Sequence, residues 1–297
     1  MNALLVLCML VVATAQSRPF NIIDFLILSA QTTLPNLIQQ AGLTDTLKGP
    51  GSWVSHIPSE VLLRKLDATD TAKLTTFLKY HVVSGQYRRG DLYNEESLTS
   101  LQPNQTIRVN YYNDVGEITV EGKAIISSDH VMSNGIVHFI GGVMIPPAGT
   151  VLDVVLKDGN LTTLASTIKS AMLENFFQDQ KPITLFAPTD EAFNKLGSAT
   201  VKGLIADPAL LKSVLQYHVV PGTIYRLHSA YLHTFEEADR IRLHTVDLDG
   251  FEADGGGLVD HMVSATNGVV QKIDAVLIPS SLSDQVKALT AGATTAA

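Results

Sequence analysis

A chain of 297 residues is long enough for two domains of ordinary size, each able to bury its own core. Hydrophobic residues make up 45% and charged residues 17%, which excludes a disordered chain. A net charge of −8 excludes a basic surface for nucleic acid or a polybasic attachment to membranes.

From the N-terminus, Leu4 to Val12 is almost wholly apolar and too short to span a bilayer, and Ala13-Thr14-Ala15 supplies small residues for cleavage. Residues 1–15 are therefore expected to be a signal peptide, which places the protein in the extracellular space. The only cysteine, Cys8, lies within it, so the mature chain is expected to have no thiol, no disulfide and no cysteine ligand. Asn104-Gln105-Thr106 and Asn160-Leu161-Thr162 are glycan acceptor sequences that fit this compartment, with Asn104 and Asn160 as candidate glycosylation sites.

Phe20 to Leu28, with Leu34, Leu37, Ile38 and Leu43, carries apolar residues at helical spacing, punctuated by the Lys48-Gly49-Pro50-Gly51 cluster. Further helices are expected after Ile57-Pro58-Ser59-Glu60 and after a cap at Asp70 or Thr71. From Ile107 the period changes to two. Ile107 to Tyr111 and Ile118 to Val120 alternate about a turn at Asn113 to Gly116, the pattern of a hairpin, and strands continue to Pro146-Pro147. A second series then begins. Leu152 to Ile168 reads as helical, and Thr184 to Ala187 as a short apolar strand. Pro188-Thr189 ends that strand, and Thr189 or Asp190 is placed to cap the next helix. Ile241 to His244 and Phe251 flank an expected turn at Asp249-Gly250, Gly255-Gly256-Gly257 reads as a flexible loop, and Val269 to Ile278 ends the series. Residues 281–297 are small, polar and alanine-rich, and are expected to be a flexible tail without a transmembrane or lipid anchor.

Two motifs occur twice in the same order. Tyr80-His81-Val82-Val83 returns as Tyr217-His218-Val219-Val220, 137 residues on (81 to 218), and Asn134-Gly135-Ile136-Val137 returns as Asn267-Gly268-Val269-Val270, 133 residues on (134 to 267). Near-equal offsets indicate duplication of a whole unit, far too long for a solenoid repeat. Two tandem domains are expected, 20–147 and 150–280.

Thr184 to Phe193, Tyr217-His218 and Asn267 to Pro279 together resemble the signature of a fasciclin domain. The resemblance implies an α+β fold: each unit a wedge-shaped β-sandwich with helices packed along one edge. It also implies a secreted, non-enzymatic adhesion or matrix protein, whose partners are integrins or other cell-surface receptors, collagen or other matrix components. The first unit matches at Tyr80-His81 and Asn134 to Pro146 but has no copy of the strand-and-cap motif. Aligning Leu34-x-x-Leu37 with Leu161-x-x-Leu164 leaves about ten residues missing near 52–56. Loss of a core strand would leave the first domain marginal and leaning on its neighbour, or mark a spliced variant.

The family resemblance makes Tyr80, His81, Tyr217 and His218 adhesion candidates. Each histidine also reads as a buried strut ending an apolar run, and the two roles compete. The family's acidic–aliphatic adhesion pair corresponds to Asp129-His130, which keeps only the acid. Arg89-Gly90-Asp91 follows the first Tyr-His motif in a polar segment and offers a guanidinium and a carboxylate from one loop. The nine histidines form no paired ligand motif, Asp247 to Glu252 lacks the spacing of a calcium loop, and no nucleophile elbow or phosphate-binding glycine loop occurs. No catalytic residue, metal or cofactor is expected. The alternative is a module that binds a small apolar ligand or a glycan between helices and sheet.

Overall fold

The computed structural model describes residues 20–29, 32–51, 53–64, 68–113, 115–179, 182–225, 230–236, 239–245, 251–259 and 262–294. The chain divides into two compact units, one running to Met144 and the other starting at Ile145.

Unit 1 opens with α1 (Ile22–Leu28), α2 (Thr33–Gln40) and α3 (Thr44–Lys48). Strand β1 (Trp53–Pro58), the short α4 (Glu60–Leu63), α5 (Thr71–Tyr80) and β2 (Val82–Ser84) follow. Asp70 starts α5 by accepting the amides of Ala72 and Lys73. The rest is antiparallel ribbon: β3 (Ser97–Thr99), β4 (Thr106–Tyr112), β5 (Glu117–Val120), β6 (Lys123–Met132) and β7 (Gly135–Ile140). All seven strands form one sheet in the order β2-β1-β7-β6-β5-β4-β3. Two register shifts bend β6 between Ile125 and His130, as bulges do. A bridge from Val83 to Ser100 joins the far ends. The folded sheet encloses one core around Tyr80, Val109, Ile136 and Ile140, while its outer face packs on the helices through Leu26, Ile38, Ile57 and Leu78.

Unit 2 repeats the plan. Helices α6 (Val151–Lys157), α7 (Thr162–Ser170) and α8 (Glu174–Asp179) precede β8 (Ile183–Pro188). Three helices, α9 (Asp190–Leu196), α10 (Ser198–Ala206) and α11 (Pro208–Tyr217), lead to β9 (Val219–Pro221). Then come β10 (Ala230–His233), β11 (Arg240–Thr245), β12 (Phe251–Ala253), β13 (Gly256–Gly257), β14 (Val263–Ala265) and β15 (Gly268–Ile273). They make two four-stranded sheets, β10-β11-β12-β13 and β14-β15-β8-β9.

The parallel pair at the centre aligns the units. Trp53 to Pro58 runs beside Gly135 to Ile140, and Ile183 to Pro188 beside Gly268 to Ile273. Strand β1 therefore occupies the place of β8, and the expected gap at 52–56 is not there. The reason is a slip of nearly one helical turn: Leu34 and Ile38 correspond to Leu164 and Ile168, and leucines three or four apart look alike from either register. Unit 1 is shortened after the strand instead. Pro58 to Tyr80 is seven residues shorter than Pro188 to Tyr217, because α4 stands where unit 2 has α9 and α10.

Two further expectations are corrected. Residues 283–294 form α12 (Ser283–Thr294) rather than a flexible tail; Val286 is buried, and Leu289 packs against Gly203 of α10, where a Cβ would come within 3.0 Å. Gly256-Gly257 pairs with Glu252 and Ala253 as β13 rather than forming a loop. The turn expected at Asp249-Gly250 and the signal peptide expected at 1–15 lie outside the described residues.

Candidate recognition surface

The repeated motifs are internal struts. In each Tyr-His pair the histidine ends a helix and joins three segments. Met144 N–H donates to His81 Nε2 (3.2 Å), so the ring proton is on Nδ1, which donates to Phe77 O (2.9 Å). Leu277 N–H donates to His218 Nε2 (2.9 Å), and Nδ1 donates to Val214 O (2.7 Å). The histidine carbonyls accept from His56 and Phe186 on the central strands. Burial holds both imidazoles down to about 4, partly opposed by the bond to the helix carbonyl. Tyr80 is fully buried and donates to Thr106 O. Tyr217 donates to Arg240 O and to Asp254 Oδ2, and its hydroxyl is pushed up by burial and then by that carboxylate. Tyr80, His81, Tyr217 and His218 are at most 5% exposed, so they are removed as contact residues of the folded units.

The two asparagines are a second set of struts, to which sequence reasoning assigned no role. Asn134 Oδ1 accepts Ile22 N–H at the start of α1, and its Nδ2 donates to Leu47 O and Gly49 O. Asn267 does the same with Val151 N–H, Phe177 O and Gln178 O. The glycine that follows has a steric reason. A Cβ on Gly135 or Gly268 would stand 2.1 Å from the carbonyl oxygen of Trp53 or Ile183. The repetition of the Asn-Gly letters was the signal.

The strand-end cap is divided. Thr189 accepts Ala192 N–H and caps α9, as expected, whereas Asp190 reaches across to the start of α7, accepting from Thr162 and Thr163. Burial alone would raise the Asp190 carboxyl, but these hydrogen bonds outweigh it and hold it low.

Arg89, Gly90, Asp91 and Asp129 meet at one surface of unit 1. Arg89–Asp91 is a single 3-10 turn with Gly90 and Asp91 exposed. Arg89 N–H donates to Asp129 Oδ1 (2.8 Å), and its guanidinium donates to Gly116 O (2.6 Å). Asp91 Oδ2 accepts Arg88 N–H (2.9 Å). Asp129 sits in β6 at φ 62, with its own N–H donated to His138 Nδ1. Two candidates 40 residues apart in sequence thus support one turn, a contact that sequence reasoning did not foresee. His130 makes other contacts: its ring packs against Phe25 and Phe139, and its Nε2 is bonded to Ser127. Asn104 and Asn160 are exposed.

Among the described residues no three or more His, Cys, Asp or Glu side chains are grouped to hold a metal ion. No described helix is long and apolar enough to cross a membrane.

These features define a class: a tandem pair of α+β modules, one built on a seven-stranded sheet and one on two four-stranded sheets, each packed with helices and pinned by a buried histidine and a buried asparagine. The chain belongs to the fasciclin-domain family, whose domain matches residues 29–146 and 159–279. It is 27% identical over 251 residues to transforming growth factor-beta-induced protein ig-h3 of Sus scrofa, covering 80% of this chain and 36% of that protein. It is 28% identical over 264 residues to periostin of Homo sapiens, covering 84% and 31%. The chain thus spans about a third of the length of these relatives. A solved FAS1 domain pair from the insect cell adhesion molecule fasciclin I is similar with a TM-score of 0.42 and 18% identity, covering 83% of this chain and 96% of that chain.

Proposed function

We propose that this chain is a secreted adhesion or matrix protein that works by non-catalytic recognition, with the Arg89-Gly90-Asp91 turn of unit 1 as its contact. The observation that carries this reading is how the turn is held. Its backbone is fixed by Asp129 and its arginine by Gly116, while Gly90 and Asp91 stay exposed and Asp91 has one oxygen engaged. A pre-ordered loop loses little entropy on binding, and a reachable carboxylate can complete the oxygen shell of a receptor-held divalent cation. The partner is an integrin or another cell-surface receptor of that chemistry, with matrix proteins such as collagen as further partners. Residues 1–15 direct secretion, and Asn104 and Asn160 carry glycans on this reading; the N-terminus and mass of the exported chain test both. Cells should attach to coated protein, and attachment should fall at least tenfold with Arg89→Ala plus Asp91→Ala or with a chelator of divalent ions. Attachment that survives both treatments overturns the assignment.

A second reading, a binding module for a glycan or a small apolar ligand, has one feature in its favour. An open groove of about 770 Å³ runs between α1, α2 and α3, lined by Ile27, Pro35, Asn36 and Gln39 among others. A saturable thermal shift with a sugar or lipid, lost on Asn36→Ala plus Gln39→Ala, would favour it.

A further inference from the structure

The central strands β1 and β8 are counterparts, yet at one buried position they carry opposite chemistry. Unit 2 has Phe186, fully buried; unit 1 has His56, 1% exposed. The parallel neighbour on the next strand differs too, Gln271 in unit 2 and His138 in unit 1. The two imidazoles of unit 1 lie side by side, ring centroids 5.6 Å apart. His138 is satisfied: Asp129 N–H donates to its Nδ1 (3.2 Å), and its Nε2 donates to Tyr87 O (2.9 Å). Gln271 supplies the same second bond, to Ile224 O. His56 is not satisfied, since both its ring nitrogens are buried without a hydrogen-bond partner. A buried polar group without a partner is an exception that calls for a reason.

We infer that His56 and His138 form a proton-operated latch in unit 1: the pairing of β1 with β7 stands while both rings are neutral and opens when they are protonated. Protonated His56 would carry two N–H groups with no acceptor in reach of either. The titratable and charged groups packed about the pair give it little help. His81 at the end of α5 and His138 on β7 both oppose a charge on His56. Around His138, burial, His130 of β6 and Arg89 of the 3-10 turn oppose a charge, while the bond to Tyr87 O and the Asp129 carboxylate favour one. Burial acts in the same direction as the neighbouring histidines and holds His56 well below its ordinary value. The cavity of about 30 Å³ beside His56 has room for a water but not for the hydration shell of a cation, so full solvation requires the strand to leave the sheet and acid favours the open form. On His138, protonation would place a hydrogen on Nδ1, opposite the Asp129 N–H that it now accepts. The same event therefore frees the Asp129 N–H beside the Arg89 turn, while the Nε2–H bond to Tyr87 O is kept.

The chain carries its own reporter. Trp53 is the only tryptophan and lies on β1, three residues before His56. Excited selectively, it reads unit 1 alone. In the full chain, Trp53 emission should shift reversibly to the red as pH falls from 6.5 toward 4. His56→Phe, the residue unit 2 uses, should move that midpoint down by about half a pH unit or more, and His138→Gln by less. Urea unfolding followed through Trp53 separates a latch from plain packing. The gain in midpoint from His56→Phe should be larger at pH 5 than at pH 8, whereas better packing alone gives equal gains. Equal gains, or an emission shift that His56→Phe leaves in place, overturn the latch. If His56→Phe does not show a native far-ultraviolet spectrum at pH 8, His56→Leu serves in the same comparison. These readouts concern folding and not attachment, so the latch and the adhesion reading fail separately.

Discussion

The two units share a frame and differ in their filling. In both, an asparagine ties the first helix to the end of the third, and a histidine ties the helix that it ends, α5 or α11, to the chain beyond β7 or β15. Between these struts unit 2 places Phe177, Leu185, Phe186 and Phe193, all buried. Unit 1 places Leu47, Ser55, His56 and Leu63 at the same positions, and a cavity of about 30 Å³ remains beside them. Ser55 Oγ is buried there without a partner. The difference shows what specifies this fold. Directional bonds from a few buried polar side chains set the geometry, and core volume adjusts stability within it.

The largest effect should come from cutting a strut. Asn267→Ala removes the bonds to Val151 N–H, Phe177 O and Gln178 O and leaves Val151 N–H and Phe177 O unpaired in the core, a loss of about 4 kcal/mol. In urea, unfolding of unit 2 should move to much lower concentration while the Trp53 signal of unit 1 stays in place. Asn134→Ala should do the reverse. A shift below about 1 kcal/mol in either case would mean the frame is held elsewhere.

Acid should separate the units next. His218 is neutral in the fold at pH values where an exposed histidine is charged, so the unfolded chain binds the extra proton. Stability is then intact above pH 6.5 and falls between 6.5 and about 4, by about 3 kcal/mol for this one group. Unit 1 has His81 in the same state and adds His56 and His138, both lowered by burial. Its urea midpoint should fall faster between pH 7 and 5 than that of unit 2, measured by Trp53 emission against far-ultraviolet circular dichroism. Parallel curves would break the comparison.

How much of this was legible depended on which physics was local. The duplication, the helix-then-strand order and the β4–β5 hairpin were readable because they rest on repeated letters and on periodicity. Strand β1 was not, because Ser55 and His56 stand where β8 has Leu185 and Phe186, and a buried strand containing two polar residues has no apolar run. Helix α12 was hidden for a related reason: it is alanine-rich, and it is Val286 and Leu289 that pack against the core. At the surface the letters Arg89-Gly90-Asp91 were visible, but their support by Asp129 and Gly116 spans 40 and 27 residues, and no local pattern encodes such contacts.

A smaller effect sharpens the contrast in filling. Ser55→Val puts a strand-favouring apolar side chain beside the cavity and removes the unpaired hydroxyl, while remaining smaller than the Leu185 of unit 2. Unit 1 should gain about 1–2 kcal/mol, seen as a higher urea midpoint of the Trp53 transition with an unchanged slope. A loss would mean that the hydroxyl is satisfied in solution.

The smallest difference is the cleanest. Helices α2 and α7 end in the same way: Leu43 N–H returns to Ile38 O and Leu173 N–H to Ile168 O, around a residue in the left-handed region. That residue is Gly42 (φ 69) in unit 1 and Met172 (φ 54) in unit 2. A Cβ at Gly42 would touch nothing within 4 Å, and the Met172 side chain is 84% exposed, so packing hardly enters. What remains is backbone strain of about 1–2 kcal/mol in methionine, offset by the greater freedom glycine has in the unfolded chain. Met172→Gly should therefore stabilise unit 2 by about 0.5–1 kcal/mol, and Gly42→Ala should destabilise unit 1 by a similar amount, both read from urea midpoints. Opposite signs at two matched positions would isolate the conformational contribution. If both substitutions move stability the same way, the two helix ends are not equivalent, and the alignment of the units through α2 and α7 would need revision.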